Sequence, residues 1–158
     1  MNNKCKKIAL CLFLLAGTYN LWTLRPVKIL YAYSDFGSTV FLVVDHLPWT
    51  DRDKIRWYLT HREEFKRKYP LLDQDWFRYY VIDIGNGFTN AKNYHDGPYE
   101  DLYCFPTIKD DADCIVKDYL FIVDEYSDSN TTFGVTVIDG EHEYQLTPEK
   151  QIERVFYP

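Results

Sequence analysis

At 158 residues with 46% hydrophobic and 27% charged content, the chain has the length of one domain plus a short extra segment. Its net charge of −6 is unevenly placed, because residues 1–70 sum to +6 and residues 71–158 to −12. The acidic half is a poor match for nucleic acid or anionic lipid headgroups. It fits a solvated surface or a basic protein partner.

The extra segment comes first. Lys4-Cys5-Lys6-Lys7 precedes seventeen uncharged residues, Ile8 to Leu24, in which Asn20 is the one strongly polar side chain. As a helix this run measures about 25 Å, the short end of the spanning range, and Lys6 and Lys7 can snorkel. Trp22 stands where aromatic rings favour a membrane interface, and Pro26 ends the helix. A cleaved signal peptide fits less well, because Ala16-Gly17-Thr18 is a weak cleavage site. The expectation is therefore an uncleaved transmembrane anchor over 8–24, bounded by Lys6, Lys7, Ile8, Trp22 and Leu24. It follows a cytoplasmic tail of residues 1–7 and precedes a domain over 25–158. The positive-inside rule places that domain in the periplasm, on the bacterial inner membrane.

The elements beyond it predict an α+β fold, a small antiparallel sheet with one main helix. Val27–Tyr33 and Thr39–Asp45 are β-rich runs around Ser-Asp-Phe-Gly-Ser and read as a hairpin. Thr50-Asp-Arg-Asp53 resembles a capping box, and the helix it opens ends near Lys68 before Pro70. Ile55, Tyr58, Leu59, Phe65 and Tyr69 form its apolar stripe, while Arg52, Arg56, Arg62, Glu63, Lys66 and Arg67 lie on the other side. Trp57 falls off the stripe and is a candidate anchor for a partner. Trp76–Ile84, Leu102–Phe105 and Cys114–Tyr126 read as strands, and Phe133–Leu146 as a hairpin turning at Asp139-Gly140.

In an oxidising compartment Cys104 and Cys114 are expected to pair, since Cys5 and Cys11 sit in or beside the membrane segment. A metal site would need further ligands at recognised spacings, and a redox pair a closer CxxC. The bridge would hold out an acidic loop whose Asp110, Asp111 and Asp113 are candidate partner contacts. Glu141-His142-Glu143 alternates on its strand, glutamates on one face and histidine on the other, and reads as an ordinary exposed edge. No nucleophile elbow, phosphate-binding loop or zinc-protease helix is present, so no catalytic residue, metal or cofactor is assigned.

Several segments together resemble a known family: Leu24-Arg-Pro-Val27 after the anchor, Leu47-Pro-Trp-Thr-Asp51, Lys54-Ile-Arg-Trp-Tyr-Leu59 and Lys68-Tyr-Pro70. Leu102-Tyr-Cys104 and Cys114-Ile115 complete the set. They are similar to the enterobacterial putative membrane protein family, a domain of unknown function numbered nine-four-three. The resemblance implies an anchor, an external domain and paired cysteines; the family carries no established activity to transfer. The expected role is a non-enzymatic, membrane-anchored interaction protein, in one form an immunity protein against an envelope-acting toxin. The alternative is a structural or regulatory module tethered to an envelope complex. Neither role calls for a nucleic acid or a small-molecule substrate.

Overall fold

The structure is a computed structural model that describes residues 3–23, 25–72, 75–95, 97–127, 130–137 and 140–156. Helix α1 (Asn3–Thr23) leads to strands β1 (Ile29–Ser34) and β2 (Thr39–Val44), helix α2 (Asp51–Lys68) and strand β3 (Trp76–Asp83). A long excursion follows, carrying the short strands β4 (Leu102–Cys104) and β5 (Cys114–Val116). Strands β6 (Tyr119–Tyr126), β7 (Thr131–Val137), β8 (Gly140–Leu146) and β9 (Ile152–Val155) complete the chain. Seven strands form one sheet in the order β1-β2-β3-β6-β7-β8-β9, and β4 pairs with β5 apart from it.

Two expectations are corrected. The sheet is mixed rather than antiparallel, because β2 and β3 run parallel from Thr39↔Arg78 to Val44↔Asp83. A two-residue turn can reverse a strand, but a parallel neighbour needs a crossover, and here α2 is that crossover. The second correction concerns the transmembrane anchor: among the described residues no helix is long and apolar enough to cross a membrane. Helix α1 has three lysines on its first turns, and Thr18, Tyr19 and Asn20 interrupt the apolar run near its other end. Thr18 and Asn20 turn their polar groups back to the carbonyls of Leu14 and Ala16, and Tyr19 donates to Asp53 Oδ2 at 3.0 Å. Lys6, Lys7 and Ile8 are exposed on α1, while Leu24 and the side chain of Trp22 lie outside the described residues.

Helix α2 starts and packs for reasons written in its sequence. Thr50 caps it by accepting from the Asp53 amide at 3.2 Å. Asp51 and Asp53 at its start, and Lys66, Arg67 and Lys68 at its end, complement the helix dipole. Ile55, Tyr58 and Phe65 are buried against Leu42, Tyr79, Val81, Phe121 and Phe133. Polar pins fix both ends. Asp51 accepts from Tyr144 Oη at 2.7 Å and bonds His142 Nδ1 at 2.9 Å, tying the start to β8. Near the other end the buried Glu125 of β6 takes Tyr58 Oη at 2.5 Å, Arg62 at 2.6 and 3.0 Å, and Lys66 Nζ at 2.6 Å. Burial pushes the Glu125 carboxyl up, but hydrogen bonds from Arg62, Lys66 and Tyr58 outweigh it and hold the group below its ordinary value.

Among the described residues, the opposite face of the sheet is covered over one half only. The excursion between β3 and β6 folds back there and packs Phe105 and Ile115 on Phe41, Val43 and Ile82. Strand β2 is thus apolar on both sides, and all five residues from Val40 to Val44 are buried. The β4–β5 ladder sets Cys104 directly opposite Cys114, and the disulfide is formed. Replacing both cysteines by serine is expected to cost about 2–3 kcal/mol, read as a lower urea midpoint at unchanged slope. An unchanged midpoint would remove the bridge from the account of stability.

Candidate functional site

The residues nominated from sequence do not converge on one place. Cys104 and Cys114 are bonded to each other, and Asp113 lies beside them. With both sulfurs in a disulfide no thiolate remains there to bind a metal. Asp110 and Asp111 are exposed at the tip of the loop, and Asp113 is half-buried. Trp57 is half-buried on α2, its ring 5.6 Å from those of His61 and Phe65, so much of it is packing. The three histidines described with partners serve structure: His46 bonds Asp45, His61 the Trp57 carbonyl, and His142 Asp51.

A different set of groups gathers on the half of the sheet that the excursion leaves bare. Strand alternation sends Tyr79, Val81, Phe121, Val123 and Phe133 towards α2, so Arg78, Tyr80, Ile122, Asp124 and Gly134 face the other way. Strand β8 adds Glu141 and Glu143, whose neighbour His142 faces α2. Arg78, Ile122, Asp124, Thr132, Gly134, Glu141 and Glu143 line a cleft of about 300 Å³. Tyr80 marks its border with the covered half, stacked on Phe41 at 5.0 Å.

Arg78 is the most firmly held group. Its Nε and NH2 grip Asp124 at 2.6 and 2.9 Å, and its NH1 donates to Tyr80 Oη at 3.2 Å. The guanidinium carbon lies 5.0 Å from the Trp76 ring centroid and 5.6 Å from that of Tyr80. Trp76 Nε1 also donates to Asp124 at 3.0 Å. The Asp124 fork, foremost among these contacts, raises the Arg78 pKa further above its already high value. The pair is therefore a fixed, internally neutral post.

Glu141 and Glu143 differ from it, since neither carboxylate has a hydrogen-bond or ion-pair partner among the described residues. Gly134 forms the floor between them and Ile122, its cross-strand partners being Ile122 and Glu143. A Cβ at Gly134 would meet Glu141 Oε1 at 1.7 Å, so the bare glycine is what lets Glu141 lie across the strand. This arrangement offers charge and shape. It contains no nucleophile–base pair.

Sequence reasoning missed Arg78, Asp124 and Gly134. It read Glu141–Glu143 as an exposed edge, which holds for Glu141 but not for Glu143: β9 pairs with β8 from Glu143 to Leu146, and the exposed Glu141 lies beyond that ladder. One signal was available: a lone glycine inside a run otherwise β-branched or aromatic, Thr131-Thr-Phe-Gly-Val-Thr-Val137, marks a close approach.

No curated protein and no solved structure matches the chain. A family model does, the enterobacterial putative membrane protein (DUF943), over residues 2–156. That span takes in α1, the disulfide and every described strand, so the chain belongs to this family of enterobacterial putative membrane proteins, a domain of unknown function.

Proposed function

We propose that the protein is a non-enzymatic interaction protein of the bacterial envelope, working at the inner membrane surface with its domain in the periplasm. The bare sheet face is its contact surface. The observation that carries this is the uneven cover of the sheet: one face lies under α2, the other is covered at β1–β3 and open at β6–β8. An open, half-polar sheet face with ordered aromatic and arginine side chains suits a protein partner. The Cys104–Cys114 bond supports an oxidising compartment. Membrane contact is supported by α1, whose Phe13, Leu15 and Leu21 are 76%, 67% and 79% exposed on a helix that opens with lysine-rich turns.

The experiment places a photoreactive amino acid at Thr132 on the bare face or at the exposed Thr60 on α2, in cells that express the protein. A discrete adduct from position 132 and none from 60 is the expected result. Identical patterns from both positions, or no adduct from either, would overturn the surface assignment. In its narrowest form the partner is an envelope-acting toxin and the protein its immunity factor, a role that the small size and acidic C-terminal half favour. Deleting the gene should then sensitise cells to siblings that make that toxin. Unimpaired survival with active toxin confirmed removes this form.

A further inference from the structure

The geometry points to the partner's chemistry: the cleft over Gly134 takes a lysine or arginine side chain from a basic protein segment laid across β6, β7 and β8. This rests on the bare face being the contact surface and specifies what that surface selects. Four observations carry it.

The first is charge. Arg78 and Asp124 cancel within the cleft, which leaves Glu141 and Glu143 as its uncompensated groups. A cation is therefore favoured and a phosphate or carboxylate repelled. The second is freedom, because the two glutamates hold no partner of their own and lose no internal hydrogen bond when they accept one. The third is shape. The glycine floor lets the Glu141 carboxylate lie flat across the strand, at the side of a depression of about 300 Å³. The fourth is reach: residues 71–158 carry a net charge of −12, so a basic segment is drawn to this half of the chain before it docks.

Arg78 acts here as a positioning residue. Held by Asp124, Tyr80 and Trp76, it walls the cleft on the β3 side and admits the incoming cation only on the glutamate side. The acidic tip at Asp110 and Asp111, the partner contact nominated from sequence, belongs to the excursion over the other half of this face, so it is the competing site and a comparison of equal charge.

The test uses the full chain and a fluorescein-labelled hexaarginine peptide, followed by anisotropy at 0.15 M salt, a condition that screens diffuse attraction at about 8 Å. Saturable binding is expected for the wild type. The double variant Glu141→Gln, Glu143→Gln should bind about tenfold more weakly, roughly the 1.4 kcal/mol of two modest charge contacts. Gly134→Ala should weaken binding similarly while still folding, because the new Cβ meets only the flexible end of Glu141. Asp110→Asn, Asp111→Asn removes the same charge and should leave affinity unchanged. Equal weakening by both double variants, or no saturable binding by the wild type, overturns the proposal. Should the peptide fail while the Thr132 adduct forms, the cationic preference falls and the contact surface stands; failure of both removes the surface as well.

Discussion

Glu125→Ala is expected to destabilise the fold by about 3–5 kcal/mol, the usual cost of removing one partner from a buried charge network. Glu125 is 1% exposed, and its two oxygens collect Tyr58, Arg62 and Lys66. Truncation leaves two cations and a phenol facing an emptied acceptor site beneath α2. Urea denaturation measures the loss. The charge itself is responsible, so the combined variant Glu125→Leu, Arg62→Leu, Lys66→Met should recover much of the stability that Glu125→Ala loses. Equal instability in the two would assign the cost to packing instead.

The same network sets a pH dependence. The carboxyl of Glu125 titrates below its ordinary value in the folded state, so its contribution is fully present above the unfolded value of about 4.3. It is lost as pH falls through the lower folded value. Asp45, Asp51 and Asp53 are lowered too, so acid unfolding draws on all four. Glu125→Gln should flatten the stability curve below about pH 4.3 without abolishing its slope.

Phe105→Ala is the second large effect, about 3–5 kcal/mol by the measure of buried phenylalanine truncations. Phe105 is fully buried, and its ring lies 5.0 Å from Tyr31, 5.9 Å from Tyr33 and 4.9 Å from Tyr103. It also meets Phe88 at 6.2 Å and Phe41 at 6.3 Å. Phe105 is thus the central ring, beside Tyr103 and Ile115, that holds the excursion to the sheet, while the disulfide ties only β4 to β5. Amide exchange should therefore accelerate first over residues 102–116, with β6 and β7 protected by their separate packing under α2. Exchange that rises evenly over all strands would show that the two sides of the sheet unfold as one.

Local signals carried much of this fold. The β1–β2 hairpin, the Thr50 cap, the stop before Pro70 and the β7–β8 pairing all rest on contacts within a few residues. The pairing of Cys104 with Cys114 followed from compartment and count. The parallel β2–β3 ladder was not legible, since an apolar strand on either side of a helix does not state its direction. Glu125 was hidden for a similar reason. At the end of Tyr-Leu-Phe-Ile-Val-Asp-Glu-Tyr it looks solvent-facing, and its partners Tyr58 and Arg62 stand 67 and 63 positions away. Arg62 and Lys66 had been placed only on the helix face away from the apolar stripe, for want of that partner. The anchor was over-read because an uncharged run was taken as an apolar one, although Thr18 and Asn20 lie within it.

The mixed sheet also ranks its own assembly steps. Strands β6 to β9 follow one another with only four, two and five residues between them, so each new pairing closes a short loop. The β3–β6 seam must instead close over the whole excursion, and the β2–β3 ladder over α2. Ribosomal synthesis reverses that ranking, since β2 emerges early while the strands that pair most readily come last. For that interval Thr39-Val-Phe-Leu-Val-Val44 is an uncharged, proline-free, β-branched segment with one neighbour and two unshielded faces, the composition that seeds intermolecular strand pairing.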